Sequence, residues 1–211
     1  MFRIMSCLAG AHDLRLVVLA GCVCFLASFV AINLFGRANA AKARARVGWI
    51  ALAGAATGCG IWATHFIAML AYEPGVPIAY DMTLTALSLV FAAVITGAGL
   101  SVAVGKTDLR SSALAGAVIG GGVASMHYTG MLALELPGRV AWAPDLVAAS
   151  VLLGILFGSA AMTIAARYNG KWENLSAALL LTLAIVSHHF TAMGAVESGA
   201  GPVREPHASL H

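Results

Sequence analysis

Apolar residues fall in six long runs separated by short polar segments, at about residues 14–35, 47–71, 82–104, 111–136, 146–166 and 174–196. A span needs roughly 20 such residues, so the pattern predicts six transmembrane helices in an all-α membrane fold. The connections are short and leave no room for a soluble domain. A hydrophobic first run followed by Ala38-Asn39-Ala40 also resembles a secretion signal with its cleavage site. Signal peptides carry an apolar stretch of roughly 7–15 residues behind a positive start. Here the run is longer and its positive cluster follows it, which predicts a retained first span.

Composition agrees with lipid as part of the solvent. Of 211 residues, 60% are hydrophobic and 10% charged, too few charges to cover a soluble globule of this length. The net charge of +3 could suit nucleic acid. The basic residues are instead dispersed among short connections, which sets nucleic acid aside. Arg37, Lys42, Arg44 and Arg46, then Lys106 and Arg110, then Arg167 and Lys171 occupy every second connection, eight of the twelve Lys and Arg residues. By the positive-inside rule these connections are expected to be cytoplasmic, so both termini are expected to face outward. All seven histidines then lie toward the outside.

Four cysteines are present, with Cys22, Cys24 and Cys59 inside expected spans and Cys7 before the first. A disulfide framework is not expected. Cys22 and Cys24 are two residues apart on a helix and point about 200° from each other, which makes them ordinary small membrane residues.

The runs pair into three units. Aligning the second helix of each pair gives Ala63-Thr64-His65-Phe66-Ile67-Ala68-Met69, Ser125-Met126-His127-Tyr128-Thr129-Gly130-Met131 and Ser187-His188-His189-Phe190-Thr191-Ala192-Met193, with the central histidines 62 residues apart each time. Asp13, Asp81 and Asp145 open the units, each placed to cap a helix N-terminus. The repeats run over about 13–73, 81–135 and 145–197 of a single domain, with 198–211 a short polar outer tail. All three have the same orientation, as parallel repeats do, and a pseudo-threefold bundle would bring the motif helices around one centre.

Residues four apart share a helix face. His65 with Met69, His127 with Met131, and His189 with Met193 therefore form three stripes, extended by Glu73, Glu135 and Glu197 if each helix persists that far. Ionisable residues within spans are costly and mark function. Thioether sulfur favours Cu(I) and imidazole serves both oxidation states, so copper suits this set better than zinc or calcium. The glutamates form a candidate outer rim for gathering cations. Haem could be held by an axial His and Met, but no porphyrin-sized gap is marked in the sequence. A plainer role also stands, in which the histidines bond neighbouring helices and the methionines fill gaps.

Met126 and His188, one residue before the central histidines, turn about 100° from the stripes and are additional candidates. Tyr128 adds a hydroxyl that Phe66 and Phe190 lack, and His12 could stand near the same mouth. His207 and His211 belong to the tail. Gly130 and its counterparts Ala68 and Ala192 allow close helix approach, as does the Gly120-Gly121-Gly122 run. There is no nucleotide-binding loop or Ser, His, Asp set, and no catalytic residue is assigned. The function classes this donor set leaves open include a copper transporter and a membrane metalloenzyme. Transport would need more than the ordinary polar residues Ser88, Thr96, Ser101, Ser159 and Thr163 along the inner halves.

The string Met126-His127-Tyr128-Thr129 resembles the signature of the MHYT family of bacterial integral membrane sensor domains, and the other two copies resemble its variants. The likeness spans nearly the whole chain. It implies copper binding through the Met and His residues and, through copper, the sensing of oxygen, carbon monoxide or nitric oxide. Carried over, the family histidine is His65, His127 and His189, and the trailing methionine is Met69, Met131 and Met193. The leading methionine is Met126 alone, with Thr64 and His188 departing from the pattern. Many relatives continue into cytoplasmic diguanylate cyclase, phosphodiesterase or kinase domains. The sequence ends after the sixth run, as expected of a free-standing member with a separate cytoplasmic effector, or of a shortened piece.

Overall fold

A computed structural model describes residues 13–72, 78–135, 139–168 and 170–199. They form six long helices: α1 (Leu14–Ala40), α2 (Ala43–Leu70), α3 (Met82–Ala103), α4 (Leu109–Leu132), α5 (Pro144–Arg167) and α6 (Lys171–Gly194). Every run foreseen in the sequence is a helix. Several extend further at the basic end than apolarity indicates, because Arg37, Arg44, Arg46 and Arg110 continue the helices rather than interrupt them. Five of the six are long and apolar enough to cross a membrane. The exception is α4, whose hydropathy is lowered by Gly, Ser and His residues, among them the buried Ser112, Gly116, Gly120, Gly122, His127 and Gly130. The chain is a multi-pass membrane domain.

Three hairpins, α1 with α2, α3 with α4 and α5 with α6, pack side by side, and α1 on α6 closes the ring. Glycines set the distances. A Cβ added at Gly54 would stand 2.7 Å from Gly97 between α2 and α3, and one at Gly120 would stand 2.7 Å from the Gly154 backbone between α4 and α5. In lipid, helices associate by such close van der Waals packing rather than by hydrophobic burial. Of the glycine run, Gly120 and Gly122 press on neighbours, whereas Gly121 meets nothing within 4 Å.

The two ends of the bundle differ. At the basic end the turns are tight: Ala41 and Lys42 alone join α1 to α2, and the Gly105 amide donates to Asn39 Oδ1 at 2.8 Å, tying the α3–α4 turn to α1. At the motif end stand two antiparallel ribbons that hydrophobic periodicity does not announce. Strand β1 (Ala79–Tyr80) pairs with β2 (Leu134–Glu135), and β3 (Arg139–Trp142) pairs with β4 (Val196–Gly199). In each case the segment entering a hairpin pairs with the segment leaving it.

The aspartates divide. Asp13 and Asp81 cap α1 and α3, accepting from the amides of Arg15 at 2.8 Å and Leu84 at 2.7 Å. Asp145 does not cap α5. Pro144 takes the first helical position, so Ala143 is the N-cap and Asp145 lies inside the first turn, where its charge favours the helix dipole. Asp108 is a cap the repeat pattern did not single out. It accepts from Ser111 at the start of α4, and that backbone amide holds its carboxyl below the usual carboxylate range.

Candidate metal centre

Each motif helix ends by the same device. The carbonyls of Ala71, Ala133 and Ala195, the C-cap residues of α2, α4 and α6, accept from the amides of Asp13, Asp81 and Ala143 at 2.9, 2.8 and 2.9 Å. The last carbonyls of a helix lack intrahelical partners. Here the N-cap of the neighbouring helix supplies one, locking the two ends of every hairpin together. The central histidine stands six residues before each lock, about 9 Å down the helix axis.

That construction brings His65, His127 and His189 together. Each is buried, with 1–4% of its surface exposed. Nδ1 of His65 lies 3.2 Å from Nδ1 of His127 and 3.3 Å from Nδ1 of His189, and the rings meet edge to face at 4.9–5.2 Å between centroids. Ligand atoms of all three fall within 4.8 Å of one another. Protons satisfy this arrangement poorly. One nitrogen offers either one hydrogen or one lone pair, so His65 Nδ1 completes only one of its two contacts as a full hydrogen bond. A cation among the lone pairs would satisfy both. Metal–nitrogen bonds of about 2.0–2.1 Å place tetrahedral ligand nitrogens about 3.3 Å apart, which matches the observed spacing.

The opposite ring edges carry a cost. Nε2 of His65 and of His127 is buried without a hydrogen-bond partner among the described residues. Such a group costs about 1–3 kcal/mol, and native structures keep it where an ion or a function accounts for it. His65 Nε2 lies against Gly130, where an added Cβ would approach to 2.7 Å. Gly130 is therefore needed for the placement of the ring as well as for helix packing.

One turn beyond the histidines, Met69, Met131 and Met193 form a separate buried cluster, with Tyr72, Tyr80, Leu134, Trp142 and Val196 packed around it. The methionines thus converge as their stripes indicate and lie under a cap of ribbon residues. Met126 is elsewhere. It is buried in the main apolar core with Ile119 and Val123, among the side chains that hold α4 in place.

His188 is fully buried, and its ring centroid lies 5.2 Å from that of His127. Its Nδ1 is 2.9 Å from the Ser150 carbonyl. Since a carbonyl only accepts, the proton sits on Nδ1 and the lone pair on Nε2, which has no partner among the described residues. Tyr128 shares the same support: its hydroxyl lies 2.8 Å from Ser150 Oγ. Ser150 is a support that the repeated motif does not single out. The signal was available, because Ser88 stands 62 residues before Ser150 and both are fully buried.

Glu135 and Glu197 do not continue the helical stripes. α2, α4 and α6 stop one residue after Met69, Met131 and Met193, and after α4 and α6 the chain passes through the C-cap into ribbon pairing. Glu135 is exposed in β2, and Glu197 has its backbone in β4 with its side chain outside the described residues. Glu73, His12, His207, His211 and Cys7 lie outside the described residues. Cys22 and Cys59 are exposed free thiols, whereas Cys24 is buried beside Thr64 and Ser28.

The sequence profile of the MHYT family, described as a bacterial signalling protein N-terminal repeat, matches residues 58–116 and again 120–178, the second match starting 62 residues after the first. An uncharacterised signalling protein of Caulobacter vibrioides is 37% identical over 195 residues, covering 92% of this chain and 24% of the relative. The bifunctional diguanylate cyclase/cyclic di-GMP phosphodiesterase MucR of Pseudomonas aeruginosa is 34% identical over 92% of the chain and 29% of its own length. The cyclic di-GMP phosphodiesterase NbdA of the same organism is 36% identical, over 86% and 24%. The chain spans about a quarter of the length of the curated relatives it matches. No solved structure matches it.

Proposed function

Since the chain belongs to the MHYT family of bacterial signalling proteins, we propose that it is a copper-binding sensor module of the inner membrane whose signal is a diatomic gas. The observation that carries this reading is the convergence of three histidine Nδ1 atoms at spacings that suit a cation better than shared protons. His65, His127 and His189 hold the ion from one side, and Met69, Met131 and Met193 supply sulfur from the turn above. Thioether with imidazole is a donor set that favours copper. The contact between the imidazole rings leaves a porphyrin no gap among them, which weighs against haem. Copper supplies a position at which oxygen, carbon monoxide or nitric oxide can be taken up.

In this reading all six helices span the membrane as three parallel repeats with pseudo-threefold symmetry. The repeated C-cap locks and the 62-residue spacing support that arrangement. The basic turns face the cytoplasm and both termini face out, so exposed Glu135 stands with Glu73 and Glu197 at a cation-gathering outer rim. Two relatives are named as enzymes of cyclic di-GMP. By analogy, the signal passes through the basic end to an effector, linked or separate, that makes or breaks this nucleotide.

The test is metal analysis of purified protein after copper loading, beside His65→Ala, His127→Ala and His189→Ala. The expected result is bound copper in the wild type and its loss in each variant. A wild type that stays free of metal defeats the reading.

A further inference from the structure

The histidine centre is sealed, its rings 1–4% exposed and the methionine cluster with its ribbon residues packed beyond it. Whatever reaches it must pass through the wall. Between α4 and α5 lies a cavity of about 460 Å³ lined by Tyr128, Trp142, Pro144, Val147 and Ala148, none of them charged. It opens on the flank of α5, where Ala148, Leu152 and Leu156 are exposed at four-residue spacing. Such a stripe occupies one helix face, and in a membrane domain an exposed apolar face is covered by lipid.

The inner wall of the cavity is the Tyr128 ring. Its centroid stands 5.1 Å from that of His127 and 5.8 Å from that of His188, with Trp142 5.3 Å away. The Ser150 hydroxyl donates to the Val147 carbonyl at 2.7 Å, so in the contact between Tyr128 and Ser150 the phenol is the donor. One neutral hydrogen bond contributes about 1 kcal/mol net. Edge contacts with His127, His188 and Trp142 add about 0.5–1.5 kcal/mol each, and a half-buried ring held by this bond and these few contacts can swing aside. The ring also separates an uncharged space from His188, whose buried Nε2 carries a free lone pair.

We propose that this cavity is a lateral entrance from the lipid through which a small uncharged molecule, the size of a diatomic gas, reaches the histidine centre, with the Tyr128 ring as its door. The destination rests on the copper reading above; occupancy of the cavity does not. Apolar gases leave water for apolar surroundings, so the membrane concentrates such a molecule at the opening.

Xenon, an apolar atom of similar size that enters apolar cavities, tests the entrance without metal. Crystals of the full chain under xenon pressure are expected to hold xenon at this cavity, and Ala148→Trp, a change at an exposed position, is expected to exclude it. A cavity empty of xenon in the wild type overturns the proposal. The route is tested by carbon monoxide association after flash photolysis of protein loaded with Cu(I). Ala148→Trp and Val147→Phe should each slow association tenfold or more, and Tyr128→Ala should accelerate it several-fold, with copper content unchanged. Equal rates in all of them also overturn the proposal. A wild type that takes up xenon but no copper defeats the copper reading and leaves the entrance standing.

Discussion

At the motif end two groups of residues lie side by side and are built on different plans. His65, His127 and His189 hold the same place in three helices, each fixed by the same backbone lock a few residues on. His188, Ser150 and Tyr128 gather on one flank only. Where His188 stands in α6, the register puts Met126 in α4 and Thr64 in α2. Met126 belongs to the apolar core and Thr64 bonds its own helix, its hydroxyl donating to the Gly60 carbonyl at 2.8 Å. Repetition therefore produces the convergence, and departures from repetition give one side a buried base, a phenol and a cavity. A centre assembled from equivalents offers no preferred side for a ligand, whereas the single flank provides one.

The largest expected effect separates the two groups. His65→Ala should lower copper affinity at least a hundredfold, and His188→Ala should leave stoichiometry unchanged, both read by equilibrium competition with a chelator. Equal losses would merge the groups into one. Next comes Gly130→Ala, whose Cβ would approach His65 Nε2 to 2.7 Å and push the ring off its place. Displacing the support of a ligand costs about 10–100-fold in metal affinity. Gly121→Ala, with open space beside it, should leave affinity alone and gain up to about 1 kcal/mol in helix stability by chemical denaturation in detergent.

Smaller effects probe the flank and the frame. Tyr128→Phe deletes the bond to Ser150 and should cost about 1 kcal/mol of stability with copper content intact. Asp81→Ala removes a cap and should cost about 1 kcal/mol. Asp145→Ala loses only a favourable charge in the first turn, worth about 0.3–1 kcal/mol. Thermal melts in which Asp145→Ala loses more stability than Asp81→Ala would contradict the capping assignment.

Most of this was legible because lipid makes the code simple. Six apolar runs gave six helices, and the 62-residue spacing of the histidines led to their meeting. Periodicity could not find the ribbons, since strands of two to four residues pair across 54 or more positions and bear no run of their own. For the same reason sequence spacing alone puts the glutamates on stripes, which the helices abandon at Leu70, Leu132 and Gly194. In the sequence His188 ranks behind His189, because one residue along a helix turns it about 100° from the stripe. That rotation excludes a residue only when the helix has one inward face. α6 has neighbours on both sides, α5 and α1, and the Ser150 carbonyl on α5 receives what the centre does not.

The central claim is that the three histidines hold copper with sulfur from the methionine cluster. X-ray absorption of the copper-loaded full chain reads this directly. The account predicts imidazole scattering from about three nitrogens in a site near the 2.0–2.1 Å range together with a sulfur shell, and loss of the imidazole pattern in His127→Ala. Copper surrounded by oxygen alone, or a spectrum that His127→Ala leaves unchanged, would contradict it.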